Sequence, residues 1–194
     1  QYWQGSPDLV IDDAAQITNL SDAPWEPIDP EFHWVDIDLT SVVNGGSRRG
    51  ISTSGTVVTI RPDSGIIERC PECRRVLREG ACGEHGPQRG EEDLRLRFVI
   101  DNGISNASLL LSKDASEAFL GTNQESVKEE ISKSGSAGFV ASLREKLIAK
   151  RLIVKGRSIV DEQGAMLLAD EVEYDTTSAH DAANEVIQRW GVIL

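Results

Sequence analysis

The feature that most constrains this chain is a set of ligand-type side chains, Cys70, Cys73, Cys82 and His85, in the spacing C-x2-C-x8-C-x2-H. Ligands two residues apart let one tight turn aim two side chains at a single ion. Two such turns supply the four ligands of a tetrahedral Zn2+ site. Gly80 and Gly83 relieve the backbone around the second turn, and Gly86 does so just after it. All three cysteines of the chain fall in this segment, and an odd number argues against a secreted disulfide scaffold. Four protein ligands leave no open coordination position, so the spacing predicts one structural ion in a zinc ribbon over residues 69–87. The ribbon has too few apolar residues for a core of its own, so it reads as an insert in a larger fold.

The flanking sequence has the pattern of strands. Thr56–Ile60 is β-branched throughout, and Ile66-Ile67 follows the turn Pro62-Asp63-Ser64-Gly65. Asp93–Asp101 alternates Leu94, Leu96 and Phe98 on one face with Arg95 and Arg97 on the other. Asp101-Asn102-Gly103 is a hairpin signal leading into a strand at Ile104–Leu111. The period then becomes helical. Asp114 with Glu117 predicts a helix start and Gly121 its stop, and Thr122 with Glu125 predicts a second helix to Gly135. Phe139, Val140, Leu143, Leu147 and Ile148 mark a third. Strands resume at Arg151–Val160 and Ala165–Tyr174 around the turn 161–164. Three strands, helices, then two strands is the element order of the five-stranded oligonucleotide-binding (OB) barrel. The expected fold is therefore mainly β: an OB barrel with the zinc ribbon between strands one and two, helices between strands three and four, and a C-terminal helix.

The flanks are read separately. Residues 1–20 have the look of a strand remnant, so the chain is expected to be a piece of a longer protein. Residues 21–40 read as a linker, because 21–33 hold three prolines and four carboxylates. Trp34–Val43 alternates apolar and polar residues like a strand, and the OB domain is placed at 41–175. In residues 176–194, Ser178 with Asp181 caps a helix whose stripe includes Val186, Ile187 and Trp190. An apolar stripe at a chain end marks a contact surface. Residues 178–194 are thus expected to bind hetero- or homo-oligomeric partner subunits, the alternative being a helix folded back onto its own barrel.

Charge narrows the function classes. The net charge of −12 disfavours a polyanion partner at first sight. Its distribution does not, because residues 61–157 hold 17 basic and 15 acidic side chains, against 2 and 9 in residues 1–60 and 1 and 8 in 158–194. The middle is where a polyanion would be tolerated. No apolar run approaches the ~20 residues of a membrane span, and no signal-peptide pattern opens the chain; a cytoplasmic protein is expected. Nucleophile-elbow, phosphate-loop and paired-carboxylate motifs are all missing from the sequence, so no enzyme is expected. His33 and His180 have no partner by spacing and read as structural or exposed.

The CPEC…CGEH ribbon, the strand pair 93–111, the sequence Ser116-Glu117-Ala118-Phe119-Leu120-Gly121, the closing strand at Ala169-Asp170-Glu171-Val172 and the C-terminal helix together resemble the large subunit of replication protein A, in its archaeal form. The resemblance covers residues 51–190, points to that family's zinc-ribbon-containing C-terminal OB domain, and implies that residues 1–20 are the end of a preceding OB-type domain. It implies single-stranded-DNA binding in replication, repair and recombination, in a nucleoid-associated protein. It also implies assembly with other subunits through the last helix. The physics would be a basic groove that tracks the backbone, with bases stacked on rings. The candidate DNA-binding residues are Arg61, Arg95, Arg97, Arg151, Lys155 and Arg157, although alternating arginines also suit a solvated face. Arg69, Arg74, Arg75 and Arg78 make the ribbon basic, for DNA or for solubility. Phe98 shares parity with Leu94 and Leu96 and reads as core. Asn106–Ser112, where the family carries stacking aromatics, has none, and Asp161 and Glu162 stand in the last hairpin. These departures favour an assembly module that leaves most DNA binding to other domains. A zinc-ribbon RNA-binding factor is a further alternative.

Overall fold

A computed structural model of the chain describes residues 34–190, together with residues 2, 3, 6, 7 and 18. The two short strands Tyr2–Trp3 (β1) and Ser6–Pro7 (β2) pair with each other. Of the expected linker at 21–40, residues 21–33 lie outside the described residues.

The main body begins with Val35–Asp36 (β3) and a helix of about two turns, Leu39–Gly45 (α1). The alternating pattern of Trp34–Val43 predicts a longer strand, and the structure corrects it. Asp38 caps the helix by accepting the Thr40 N–H at 2.9 Å, which starts a turn where alternation would otherwise continue. Leu39 and Val42, three residues apart, then face the core. Next come Arg48–Ile60 (β4), Gly65–Arg69 (β5), Ala81–Cys82 (β6), Gly86–Pro87 (β7), Glu91–Asp101 (β8) and Asn106–Leu111 (β9). Two helices follow, Lys113–Leu120 (α2) and Gln124–Leu147 (α3), then the strands Arg151–Asp161 (β10) and Gly164–Tyr174 (β11) and the helix Ala179–Trp190 (α4).

The caps differ from those the sequence pattern predicts. Ser112, not Asp114, accepts an N–H at the start of α2, and Asn123, not Thr122, does so for α3. Gly121 ends α2 in the left-handed conformation as expected, at φ 65°. The expected break at Gly135 is a kink at φ 73° inside α3. Phe139, Val140, Leu143 and Leu147 on its second half are buried in the core.

Five strands close on themselves. β4 pairs with β10, β10 with β11, β11 with β9, β9 with β8, and β8 returns to β4. All these pairings are antiparallel except β9 with β11, which run parallel with α2, α3 and β10 between them in the chain. This is an OB-like ring within a seven-stranded mixed sheet to which β3 and β5 add. Leu96, Phe98, Ile100, Leu109, Leu111, Leu152 and Leu167 fill its interior. Alternation does the rest: the neighbouring residues on each strand point outward. The ring needs one irregularity to close. Between Lys155 and Gly156 the register of β10 against β11 slips past Asp170, a bulge that bends β11 and reverses which of its faces looks inward. Gly156 makes this possible. A Cβ there would overlap the Leu168 carbonyl oxygen and lie 3.1 Å from Ala169 Cα and Asp170 N.

Candidate functional site

Residues 70–87 leave the ring at the end of β5 and return at β8. The first turn is set by backbone bonds, the Cys70 N–H to the Arg75 carbonyl at 2.8 Å and the Arg74 N–H to the Cys70 carbonyl at 2.9 Å. The second is the small hairpin of β6 and β7, entered through Glu79 and Gly80 at positive φ. These turns bring Cys70, Cys73, Cys82 and His85 together, with their ligand atoms all within 4.8 Å of one another. Cys70 Sγ to His85 Nδ1 is 3.5 Å, Cys73 Sγ to Cys82 Sγ is 3.5 Å, and Cys82 Sγ to His85 Nδ1 is 3.7 Å. A tetrahedral ion with sulfur at about 2.3 Å and nitrogen at about 2.0–2.1 Å asks for ligand edges of about 3.4–3.8 Å. The four side chains could therefore hold one metal ion.

The electrostatics favour an ion. Backbone N–H groups of Glu84 and then His85 point at Cys82 and hold its thiol at about 6, against an ordinary value of 9.0. Cys73 receives the Arg75 N–H, but burial and the neighbouring sulfurs of Cys82 and Cys70 outweigh it and push that thiol up. A cation among three sulfurs removes this mutual repulsion. Two residues beyond the ligands also belong to the site. Glu72 Oε2 lies 3.6 Å from His85 Nε2, and Gln88 Nε2 donates to Glu72 Oε1 at 3.0 Å. The Glu72 carboxylate thus stands beside the far nitrogen of the ring whose Nδ1 faces the sulfurs. Among the described residues, Leu77 is the one carbon side chain buried with the cysteines. Ion pairs tie the loop to β8, Arg69 to Asp93 and Arg74 to Glu91, while Arg75 pairs with Glu84 inside the loop. Three of the four ribbon arginines are thus engaged by carboxylates. Arg78 is exposed, with no ion pair among the described residues.

The other candidate surface is the outside of the ring. Register aligns Arg97 with Leu110, Leu110 with Leu168 and Leu168 with Arg157, so these four form one row across β8, β9, β11 and β10. Val99, Ser108, Met166 and Ile159 form the adjacent row. All eight are half-buried. The result is an aliphatic pad with an arginine at each end. Arg95 extends the same face along β8, and Arg61 lies beside it with its N–H on the Arg97 carbonyl at 2.8 Å. Arg95 and Arg97 each contact Asp63 Oδ2 at 2.7 Å. Arg151 and Lys155 share the outward parity of Arg157 on β10 and stand opposite Thr56 and Ser52 of β4. Arg151 binds Asp175 and Ser54 Oγ at 2.7 Å each, and Lys155 binds Glu171 and Glu173 at 3.0 Å each. Arg151, Lys155 and Arg157 thus lie on one face of β10, and carboxylates engage the first two.

No aromatic ring lies in the two rows. Phe98 is fully buried, as its parity predicts, and leads a ladder of rings through Phe119 to Tyr174 with centroids 6.2 and 5.4 Å apart. In α4 the Ser178 hydroxyl accepts the Asp181 N–H at 3.1 Å, as the sequence predicts, and Ile187 is half-buried. The side chains of Val186 and Trp190 lie outside the described residues. His180 is exposed beside Asn184, and His33 falls outside the described residues. Among the described residues no helix is long and apolar enough to cross a membrane.

No family model matches the chain, and no curated protein matches it. Solved structures do. A replication protein A heterotrimer bound to ssDNA is similar at 11% identity and a TM-score of 0.54, over 82% of this chain and 40% of that one. Yeast RPA bound to ssDNA is similar at 12% identity and a TM-score of 0.44, over 73% of this chain and 85% of that one. The S. pombe Stn1-ten1 complex gives 12%, 0.34, 73% and 69% in the same order. At 11% identity the first likeness is one of fold, and the chain spans about 40% of its length. The other two likenesses carry no argument.

Proposed function

We propose that this chain is a single-stranded-DNA-binding module, an OB barrel with a structural zinc ribbon between its first two strands, that serves DNA replication, repair and recombination. The observation that carries the reading is the outer row Arg97–Leu110–Leu168–Arg157 on a closed five-strand ring. An extended strand laid across it finds guanidinium groups for its phosphates at both edges and an aliphatic bed for sugars and bases between them. Base stacking on rings would contribute about 1–3 kcal/mol per base, and among the described residues the two outer rows carry no ring to supply it. Affinity then rests on phosphate contacts, which makes it modest, sequence-tolerant and salt-dependent. Zn2+ is the ion the three sulfurs and one imidazole suit, and with four ligands it holds the loop together without reacting.

The missing rings also support a second role that holds alongside the first. In it α4 recruits partner subunits, and other domains share the grip on DNA. The capped start of α4 and the sequence stripe Val186, Ile187 and Trp190 favour this role. Reversing Arg97 and Arg157 to Glu tests the DNA face. It should abolish binding to single strands at moderate salt while leaving the melting curve in place, and unchanged affinity would remove that face from the site.

A further inference from the structure

We propose that Asp63 is an internal stand-in for a phosphate group, holding Arg95 and Arg97 in position and competing with single-stranded nucleic acid for them. The inference rests on the function proposed above.

The geometry has three parts. First, both arginines converge on one oxygen, Asp63 Oδ2, at 2.7 Å each. Two positive charges facing one negative charge leave an excess of one, on a face that already ends in Arg157. A phosphodiester offers two non-bridging oxygens, one for each guanidinium, in the paired geometry that arginine matches best. Second, the arginines are not fully satisfied as they stand. The Arg95 side chain is 11% exposed, and its Nε is buried without a hydrogen-bond partner. Burial works to lower the Arg95 pKa, against the raising influence of Asp63. A buried donor without an acceptor is a cost that a second oxygen nearby would relieve. Third, Asp63 can leave. Its side chain is 42% exposed at the tip of the Arg61–Ser64 turn. Burial tends to raise its carboxyl, but Arg97 and Arg95 outweigh that and hold it below 3.8, so it is charged at neutral pH.

The turn itself is anchored elsewhere. Buried Ser64 donates its hydroxyl to the Arg97 carbonyl at 3.0 Å and accepts the Arg97 N–H at 2.9 Å. The Ser64 N–H closes the turn on the Arg61 carbonyl at 3.1 Å. Removing the carboxylate charge therefore leaves the loop in place. Arg95 and Arg97 become an open anion clamp at one end of the outer row.

The experiment compares the wild-type chain with Asp63→Asn and Asp63→Glu, titrating labelled oligothymidylate across a range of salt concentrations. Circular dichroism confirms that each variant is folded. Asp63→Asn should bind about three- to tenfold more tightly at low salt, the scale of one like charge removed about 4 Å from a phosphate in water. Its plot of log affinity against log salt should steepen by about 0.7, one more phosphate contact on a single strand. Asp63→Glu, which keeps the charge, should stay at wild-type affinity. On an Arg97→Gln background, the gain from Asp63→Asn should fall below about twofold. If wild type binds and Asp63→Asn binds no more tightly, the Asp63 inference fails and the DNA-binding reading survives. A gain of full size on the Arg97→Gln background also overturns it, because Asp63 would then act as a diffuse charge. If neither wild type nor Asp63→Asn binds at any salt concentration, the DNA-binding reading falls and takes this inference with it.

Discussion

Replacing Gly156 with Ala should open the ring at its bulge. Gly156 has no positive φ, so alanine faces no backbone penalty, and in an open position the change would add about 0.4–1 kcal/mol through the unfolded chain. Here the added methyl overlaps the Leu168 carbonyl oxygen and approaches Ala169 Cα and Asp170 N to 3.1 Å. All three are backbone atoms of β11, so no side chain can swing away. An ordinary carbon–oxygen contact is about 3.3 Å or more. β11 must therefore back off β10 by roughly 1 Å, which breaks the ladder on either side of the bulge. Two backbone bonds at about 1 kcal/mol each, with about 1–3 kcal/mol of overpacking, give a loss of about 3–5 kcal/mol. That is a large share of the about 5–15 kcal/mol that holds a typical domain together. At about 2–4 °C per kcal/mol for a chain of this size, the melting midpoint should fall by about 10 °C or more. Urea unfolding followed by circular dichroism reads the free energy directly. A variant as stable as wild type, or more so, would refute the bulge as the device that closes the ring.

Chelation should unfold residues 70–87 and spare the ring, because among the described residues Leu77 is the one carbon side chain buried with the cysteines and cannot offset the ordering of so long a loop. Elemental analysis should find one zinc per chain, and Cys73→Ala should abolish it; folded wild-type protein without zinc would sink the metal site. Asp175 is held below 3.8 first by the Thr177 hydroxyl and N–H and then by Arg151. A depressed carboxylate stabilises the fold above its unfolded pKa and loses that contribution as pH falls through the folded value. Asp175→Asn should therefore lower stability at neutral pH and narrow its gap to wild type in acid titrations below about pH 4; a gap constant with pH contradicts the pairing. Changing Val186 and Trp190 to Asp should end co-purification with partner subunits and leave the ring's melting unchanged. If the isolated chain unfolds instead, α4 belongs to its own core.

How much of this was legible in the sequence depends on the range of the interactions. The metal ligands were legible because their geometry is local: two turns, each setting its own pair. The OB-like ring followed from strand patterns and element order. Glu72, which lies beside His85, stands between the first two ligands and was within reach of the same reading. The bulge had a local sign too, a glycine in the interior of a strand between Ile153-Val154 and Ile159-Val160. α1 was hidden because Ile37 and Leu39 continue the apolar–polar alternation while Leu39 and Val42 also fit a helix, and the cap at Asp38 decided between them. The arginines were least legible. Asp63 lies 32 residues from Arg95 and 34 from Arg97, and no periodicity links a turn residue to a strand that distant. Likewise the pairing of Lys155 with Glu171 and Glu173 depends on the register of β10 against β11, which side-chain type alone does not specify.

The central claim is that the outer face of the ring binds single strands chiefly through phosphates. It is tested most directly by fluorescence anisotropy of the zinc-loaded chain with single-stranded and duplex DNA of equal length, across a series of salt concentrations. The account predicts tighter binding to the single strand and little difference among base sequences. It also predicts a linear fall of log affinity with log salt, with a slope of at least about −1.4, that is, two or more phosphate contacts. Equal affinity for duplex, or no binding at the lowest salt, would contradict it.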